Sequence, residues 1–179
     1  MLSVKVIETI KAWVDRISRY TGYVSYIGYA LIILLTVADV ILRKTINKPI
    51  VGGYEIIQYL LLVSVFASFA YCQTMRGHIQ VTMILRLLPR RAVFVIYTIT
   101  SILTALAMSF VAFAASEQAI YVMERGFVSD TLKFATYPFI WIECICMVIF
   151  ALACIVDTLQ SACAIFHPEL QERLLAEWD

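Results

Sequence analysis

Four long apolar runs divide the chain. They cover about residues 23–42, 54–75, 92–116 and 137–163, and short polar segments separate them. A helix needs about 20 mostly apolar residues to cross roughly 30 Å of hydrocarbon. The pattern therefore predicts an all-α integral membrane protein with four transmembrane helices, in which residues 1–179 form a single membrane domain.

Residues 1–20 show a second kind of pattern, because apolar and charged positions alternate there at helical spacing. The apolar set is Ile7, Ile10, Val14 and Ile17, and the charged set is Lys11, Asp15 and Arg19. This pattern predicts an amphipathic helix that lies in the headgroup region of the membrane. The alternative is a polar lead-in that becomes ordered only near the membrane.

The connection between the second and third runs, "RGHIQVTMILRLLPRR" at residues 76–91, is strongly basic. Its apolar residues recur at i, i+3, i+4 and i+7, namely Val81, Ile84, Leu85 and Leu88. Gly77 can end the preceding span and Pro89 can stop the helix. The stretch predicts a short interfacial helix whose arginines lie near anionic headgroups, each worth about 1 kcal/mol.

The distribution of basic residues predicts the orientation in the membrane. The N-terminal segment, the second loop and the tail share one side and carry nine Lys and Arg residues, against five in the first and third loops. We therefore expect both termini, including the tail at 164–179, in the cytoplasm.

Composition agrees with a membrane protein, since 62% of residues are hydrophobic and 15% are charged. A net charge of +1 gives no indication of nucleic-acid binding. His78 and His167 lie outside the apolar runs, so they are not placed to ligate a haem held between the spans. No catalytic triad, phosphate loop or metal-spaced cluster is apparent, so no cofactor and no enzyme activity are predicted.

Three charged residues near the ends of the first two spans are candidates for contact with a partner. Asp39 and Arg43 lie four residues apart, so they can pair on one helix face. Glu55 opens the second span, where the helix dipole favours a carboxylate and where a partner chain could also bind.

Glu143 is the most unusual residue, because it is ionisable and lies inside the fourth apolar run. Such a group suggests a proton or ion relay, or a polar anchor to a partner helix. The alternative is a protonated or hydrogen-bonded glutamate about 8 Å inside the helix, near the outer interface.

Short motifs in order along the chain resemble the small membrane subunit of tripartite ATP-independent periplasmic (TRAP) transporters, the DctQ-type family. They are "ADVILRK" with Asp39 and Arg43, "PIVGGYEIIQYLL" with Glu55, "FASFAY", "RGHIQV" with Gly77, His78, Ile79 and Val81, and "LLPRR" with Pro89 and Arg90. The resemblance covers roughly residues 20–160.

The resemblance implies a non-catalytic subunit of a sodium-coupled, binding-protein-dependent transporter in the bacterial inner membrane. Its expected partners are a large multi-span subunit that moves as an elevator, a periplasmic protein that delivers an organic acid anion, and lipids. A C4-dicarboxylate or a sialic acid is the implied substrate class. The small subunit would enlarge the immobile scaffold.

The candidate residues for contact with a partner or the membrane come from both the patterns and the resemblance. They are Asp39, Arg43, Glu55, Gly77, His78, Ile79, Val81, Arg86, Pro89, Arg90, Arg91 and Glu143. Two other classes stay open: a stand-alone four-helix membrane enzyme, and a small proton-coupled exporter that uses Glu143. Transport or turnover by the purified chain alone would favour these.

Overall fold

A computed structural model describes residues 2–75 and 90–166, with the side chains of residues 9–75 and 92–163. These ranges form four long helices, α1 (Leu2–Thr45), α2 (Gly53–Thr74), α3 (Arg90–Glu124) and α4 (Tyr137–Phe166). Each of them contains a stretch long and apolar enough to cross a membrane. The predicted all-α membrane fold with four spanning helices is confirmed.

The N-terminal segment is helical, but it is not a separate helix. α1 runs for 44 residues without a break, so residues 2–20 continue directly into the first span. No proline interrupts this stretch, and its glycines are tolerated because they face a neighbouring helix. The location of the first turns of α1 in the headgroup region stays a prediction, because the helical structure alone does not test it.

α3 extends past the predicted third span, from about residue 116 to Glu124. Nothing in residues 117–124 breaks a helix, since the first glycine after the span is Gly126. Gly126 has φ 63°, a left-handed backbone angle that glycine adopts without a steric penalty and that commonly ends helices. The apolar run therefore ends before Glu117, whereas the helix itself continues to Glu124.

α1 packs antiparallel on α2 through a stripe of small residues. Ser18, Gly22, Ser25 and Gly28 are all buried. A methyl group on Gly22 would lie 2.7 Å from Cγ of Tyr71, and one on Gly28 would overlap Oγ of Ser64. Close approach of backbones through small residues is the usual way for helices to associate in lipid.

α3 packs along α4 through a second small-residue stripe. Ala105, Ala112 and Ala119 repeat every seven residues and are buried, as in the seam between two supercoiled helices. The thiol of Cys144 donates to the carbonyl of Ala112 at 3.4 Å. All five cysteines are free, and Cys144, Cys146 and Cys154 act as small buried residues.

α4 is the central helix of the described part of the chain. It packs against α1, α2 and α3, whereas α3 barely contacts α1 or α2. The core forms where three helices meet, from Ala70 of α2, Ala105 of α3, and Phe150 and Cys154 of α4. α1 and α3 therefore lie on different sides of the α2–α4 pair.

The interfacial helix predicted within residues 76–91 falls largely outside the described residues, and so do residues 167–179 of the predicted tail. Arg90 and Arg91 form the first turn of α3. The interfacial helix accordingly stays a prediction.

Candidate functional site

Two connections, residues 46–52 and 125–136, lie at the same end of the bundle, which we call the loop end. The longer connection folds into a small hairpin with a single antiparallel bridge between Val128 and Ala135. The amide of Ser129 donates to the carbonyl of Phe134 at 2.9 Å. The hairpin turn at residues 130–133 is thereby directed at the first turn of α2.

Glu55 holds this hairpin turn from the first turn of α2. Its Oε1 accepts a hydrogen bond from the amide of Thr131 at 2.7 Å, and its Oε2 accepts one from the amide of Leu132 at 3.0 Å. The hydroxyl of Ser129 donates to Oε2 as well. Successive amides around one carboxylate form an anion-binding turn, and bonds to a charged acceptor are the stronger kind.

Asp39 holds the shorter loop in the same way, from near the end of α1. Its Oδ1 accepts a hydrogen bond from the amide of Ile50 at 2.8 Å, and its Oδ2 pairs with Nη2 of Arg43 at 2.8 Å. The predicted Asp39–Arg43 pair is confirmed. The Arg43 side chain is 64% exposed, so the pair adds little stability of its own but leaves part of the guanidinium accessible.

The two loops meet at Gly52, immediately before α2. Gly52 has φ 73°, a left-handed angle, and a methyl group there would lie 2.5 Å from Cγ of Leu132. Since Glu55 binds the amide of Leu132, the hairpin turn is pressed over the start of α2. Any residue with a side chain at position 52 would both strain the backbone and displace the hairpin.

Aromatic rings continue this contact along α2. The ring of Tyr59 stacks on Phe139 with centroids 4.4 Å apart and lies 5.2 Å from the ring of Phe134. The hydroxyls of Tyr59 and Thr136 are hydrogen-bonded at 3.3 Å. The hairpin and the start of α4 are therefore bound to α2 over its first two turns.

A second polar contact joins α2 to α4 at the opposite end of the bundle. Nε2 of Gln73 donates to Oδ2 of Asp157 at 2.8 Å, and both side chains are more than nine-tenths buried. Gln73 follows Glu55 by 18 residues, or about 27 Å along a helix. That separation is close to the roughly 30 Å hydrocarbon thickness, which is the spacing expected of polar contacts at the two edges of the apolar slab.

Glu143 is partly exposed on α4 and forms no hydrogen bond or ion pair with another described residue. The interpretation of Glu143 as hydrogen-bonded near the interface therefore finds no partner within the described ranges. The loop candidates lie outside them, namely Gly77, His78, Ile79, Val81, Arg86 and Pro89, as do the side chains of Arg90 and Arg91.

The sequence patterns did not predict the hydrogen-bond donors to Glu55, and they did not predict the contact between Gln73 and Asp157 at the opposite end of the bundle. The donors to Glu55 come from a loop 74 to 77 residues away, and Gln73 and Asp157 are 84 residues apart. No local motif marks such pairs. One signal was available, because Gln73 and Asp157 are polar residues near the ends of apolar runs, where burial requires a partner.

The residues that form the loop end lie within a part of the chain that matches a known family. The model for the DctQ component of tripartite ATP-independent periplasmic transporters matches residues 32–164, which include Asp39, Glu55 and the hairpin. The chain belongs to the DctQ family. No curated protein and no solved structure matches the chain in the corresponding comparisons.

Membership in the DctQ family makes the chain the small permease component of a TRAP transporter and a multi-pass protein of the inner membrane. DctQ proteins function with a large membrane component and a periplasmic binding protein. In this DctQ protein, Glu55 and Asp39 are engaged by loops of their own chain. Both carboxylates thus shape the loop end from within their own chain.

Proposed function

We propose that this DctQ subunit braces the immobile scaffold of the large membrane subunit, in a sodium-coupled, binding-protein-dependent transporter of organic acid anions. An elevator-type transporter needs one part held still while another part moves through the bilayer. The subunit itself carries out no chemistry and binds no solute. C4-dicarboxylates and sialic acids are the substrate classes that the other two components would select.

The observation that carries this proposal is the pair of polar contacts at the two ends of α2. Glu55 binds the hairpin at one end, and Gln73 binds Asp157 at the other, about 27 Å away. Between them the helices pack through small residues and a shared core. Contacts at both edges of the hydrocarbon resist shear between helices, as a brace requires.

We place the loop end in the periplasm, where the binding protein approaches. Arg43 remains largely exposed there, and Val51 and Tyr54 are 76% and 81% exposed. A surface with an accessible guanidinium beside exposed apolar side chains is suited to a protein partner. Glu55 supports this surface from beneath, because it holds the hairpin that adjoins it.

The orientation gives a direct prediction. A fluorescent protein that matures only in the cytoplasm should be fluorescent when fused after Asp179. Alkaline phosphatase, which is active only in the periplasm, should be active when inserted at Gly126 and inactive after Asp179. The opposite pair of results would reverse the orientation and exclude periplasmic docking at the loop end.

The function is tested by uptake in a strain that lacks only this subunit. We expect sodium-dependent uptake of the substrate anion to fall to background and to return when the chain is supplied in trans. A panel of radiolabelled C4-dicarboxylates, sialic acid and a neutral sugar identifies the class. The purified chain alone, reconstituted in vesicles with a sodium or proton gradient, should accumulate none of them.

Accumulation by the chain alone would contradict the bracing function and favour the exporter. Uptake that persists at the wild-type rate without the subunit would also contradict it. A matched strain that expresses the chain without the large subunit controls for transport by unrelated proteins.

A further inference from the structure

Glu143 lies on the side of α4 that forms the core elsewhere along the helix. Met147, Phe150 and Cys154 follow it at i+4, i+7 and i+11, the spacing that aligns residues on one helix face. These three side chains are at most 2% exposed, whereas Glu143 is partly exposed. The face that α2 and α3 close over Phe150 and Cys154 is therefore covered less completely at Glu143.

The contacts between α2 and α4 show how deep this opening lies. The rings of Tyr59 and Phe139 stack, so these residues are at the same level. Glu143 is four residues beyond Phe139, and Glu55 is four residues before Tyr59, so the backbone positions of the two glutamates are about 12 Å apart along the bundle. Along α4 itself, Asp157 follows Glu143 by 14 residues, or about 21 Å. Glu143 is thus well inside the slab bounded by the two polar contacts.

A carboxyl group at this depth needs a hydrogen-bond donor, because hydrocarbon supplies none. Within the described residues Glu143 has neither a hydrogen bond nor an ion pair. α3 barely contacts α2, so a helix from outside can reach the carboxyl between them.

We propose that a helix of the large membrane subunit covers Glu143 between α2 and α3, and that a polar or basic side chain on it donates to the carboxyl group. The inference rests on the proposed function, and it assigns the surface through which the brace binds. The large subunit is the expected occupant because DctQ proteins function with a large membrane component, whereas none of the four apolar runs of this chain could supply a basic side chain from a second copy.

Site-specific photo-cross-linking in the complete transporter tests the location of this contact. The photoreactive residue p-benzoylphenylalanine replaces Glu143 in one variant and Ile145 in the other. Ile145 is 56% exposed and lies roughly on the opposite side of α4. We expect an adduct with the large subunit from position 143 and much less from position 145. An adduct from position 145 alone, or a dimer of this chain from position 143, would overturn the proposal.

A substitution pair tests the chemistry. Glu143→Leu should lower the amount of large subunit that co-purifies by about fivefold, the effect of a lost hydrogen bond between helices in lipid. Glu143→Gln keeps a hydrogen-bonding side chain and should retain assembly and uptake within about twofold. Normal assembly of both variants would contradict the proposal. Normal assembly but no uptake with Glu143→Gln would also contradict it, and would favour a proton-carrying role.

Wild-type co-purification, measured in parallel, keeps this test separate from the proposed function. If the wild-type chain fails to bind the large subunit, the bracing function itself is wrong. If the wild-type chain binds and both Glu143 variants bind equally well, only the assignment of the surface is wrong. Expression and thermal stability of each variant in detergent show whether a loss of binding reflects misfolding.

Discussion

Replacing Glu55 by alanine is expected to release the hairpin of residues 125–136 and to reduce uptake to a small fraction of the wild-type rate. The variant removes the acceptor of three hydrogen bonds at once, from Ser129, Thr131 and Leu132. The two amides in the turn then lose their shared acceptor, and Leu132 is no longer held over Gly52. Local opening of such a segment raises its exposure to proteases.

Limited trypsin digestion of the detergent-solubilised subunit measures this release directly, because Arg125 and Lys133 lie in the same loop. Cleavage at Lys133 should become at least about tenfold faster in Glu55→Ala than in wild type. Glu55→Gln should be intermediate, since an amide retains one acceptor oxygen without the charge. Glu117→Ala, which alters an exposed glutamate of α3, is the matched control. Equal cleavage of all four proteins would show that Glu55 does not hold the loop.

Replacing Gly28 by alanine is expected to destabilise the α1–α2 pair, although alanine is the better helix former. The new methyl group would overlap Oγ of Ser64, whose hydroxyl is hydrogen-bonded to the carbonyl of Leu60 at 2.7 Å. Overpacking of this kind costs about 1–3 kcal/mol. The gain in helix propensity is about 1 kcal/mol at most, so the overlap should dominate.

A compensating substitution at Ser64 provides the control for this second prediction. In the double variant Gly28→Ala, Ser64→Gly, the methyl group lies on α1 and the space lies on α2, so most of the lost stability should return. Thermal unfolding in detergent, compared over wild type, both single variants and the double variant, measures the coupling. If the double variant is as unstable as the sum of the single variants, the two positions do not pack against each other.

Much of the architecture was predictable because hydrophobic length determines spans. The bounds of α2 agree with the predicted run within one residue, since Gly52 immediately precedes the helix and polar residues end it. The continuity of α1 was not predictable, because an amphipathic pattern before a span is compatible with a bend or with one straight helix. The pair of Asp39 and Arg43 was predictable because its spacing is local.

The long-range contacts could not be predicted from the chain by the same reasoning. Glu55 showed a favourable position for the helix dipole, but nothing marked residues 129–132 as its donors. Likewise, the exposure of Glu143 depends on how far α3 stands from α2, which is set by packing along the whole of α4. Such features arise from tertiary arrangement and have no period in the sequence.

The unequal lengths of the helices have a consequence for how the protein sits in its bilayer. α2 has 22 residues and is about 33 Å long, close to the thickness of the acyl region, whereas α1 has 44 residues and is about 66 Å long. Even with headgroups included, a bilayer is about 45 Å thick, so roughly 20 Å of α1 must lean or protrude. Among the described helices, α2 matches the acyl region most closely in length, so we expect it to set the depth at which the bundle sits in the membrane.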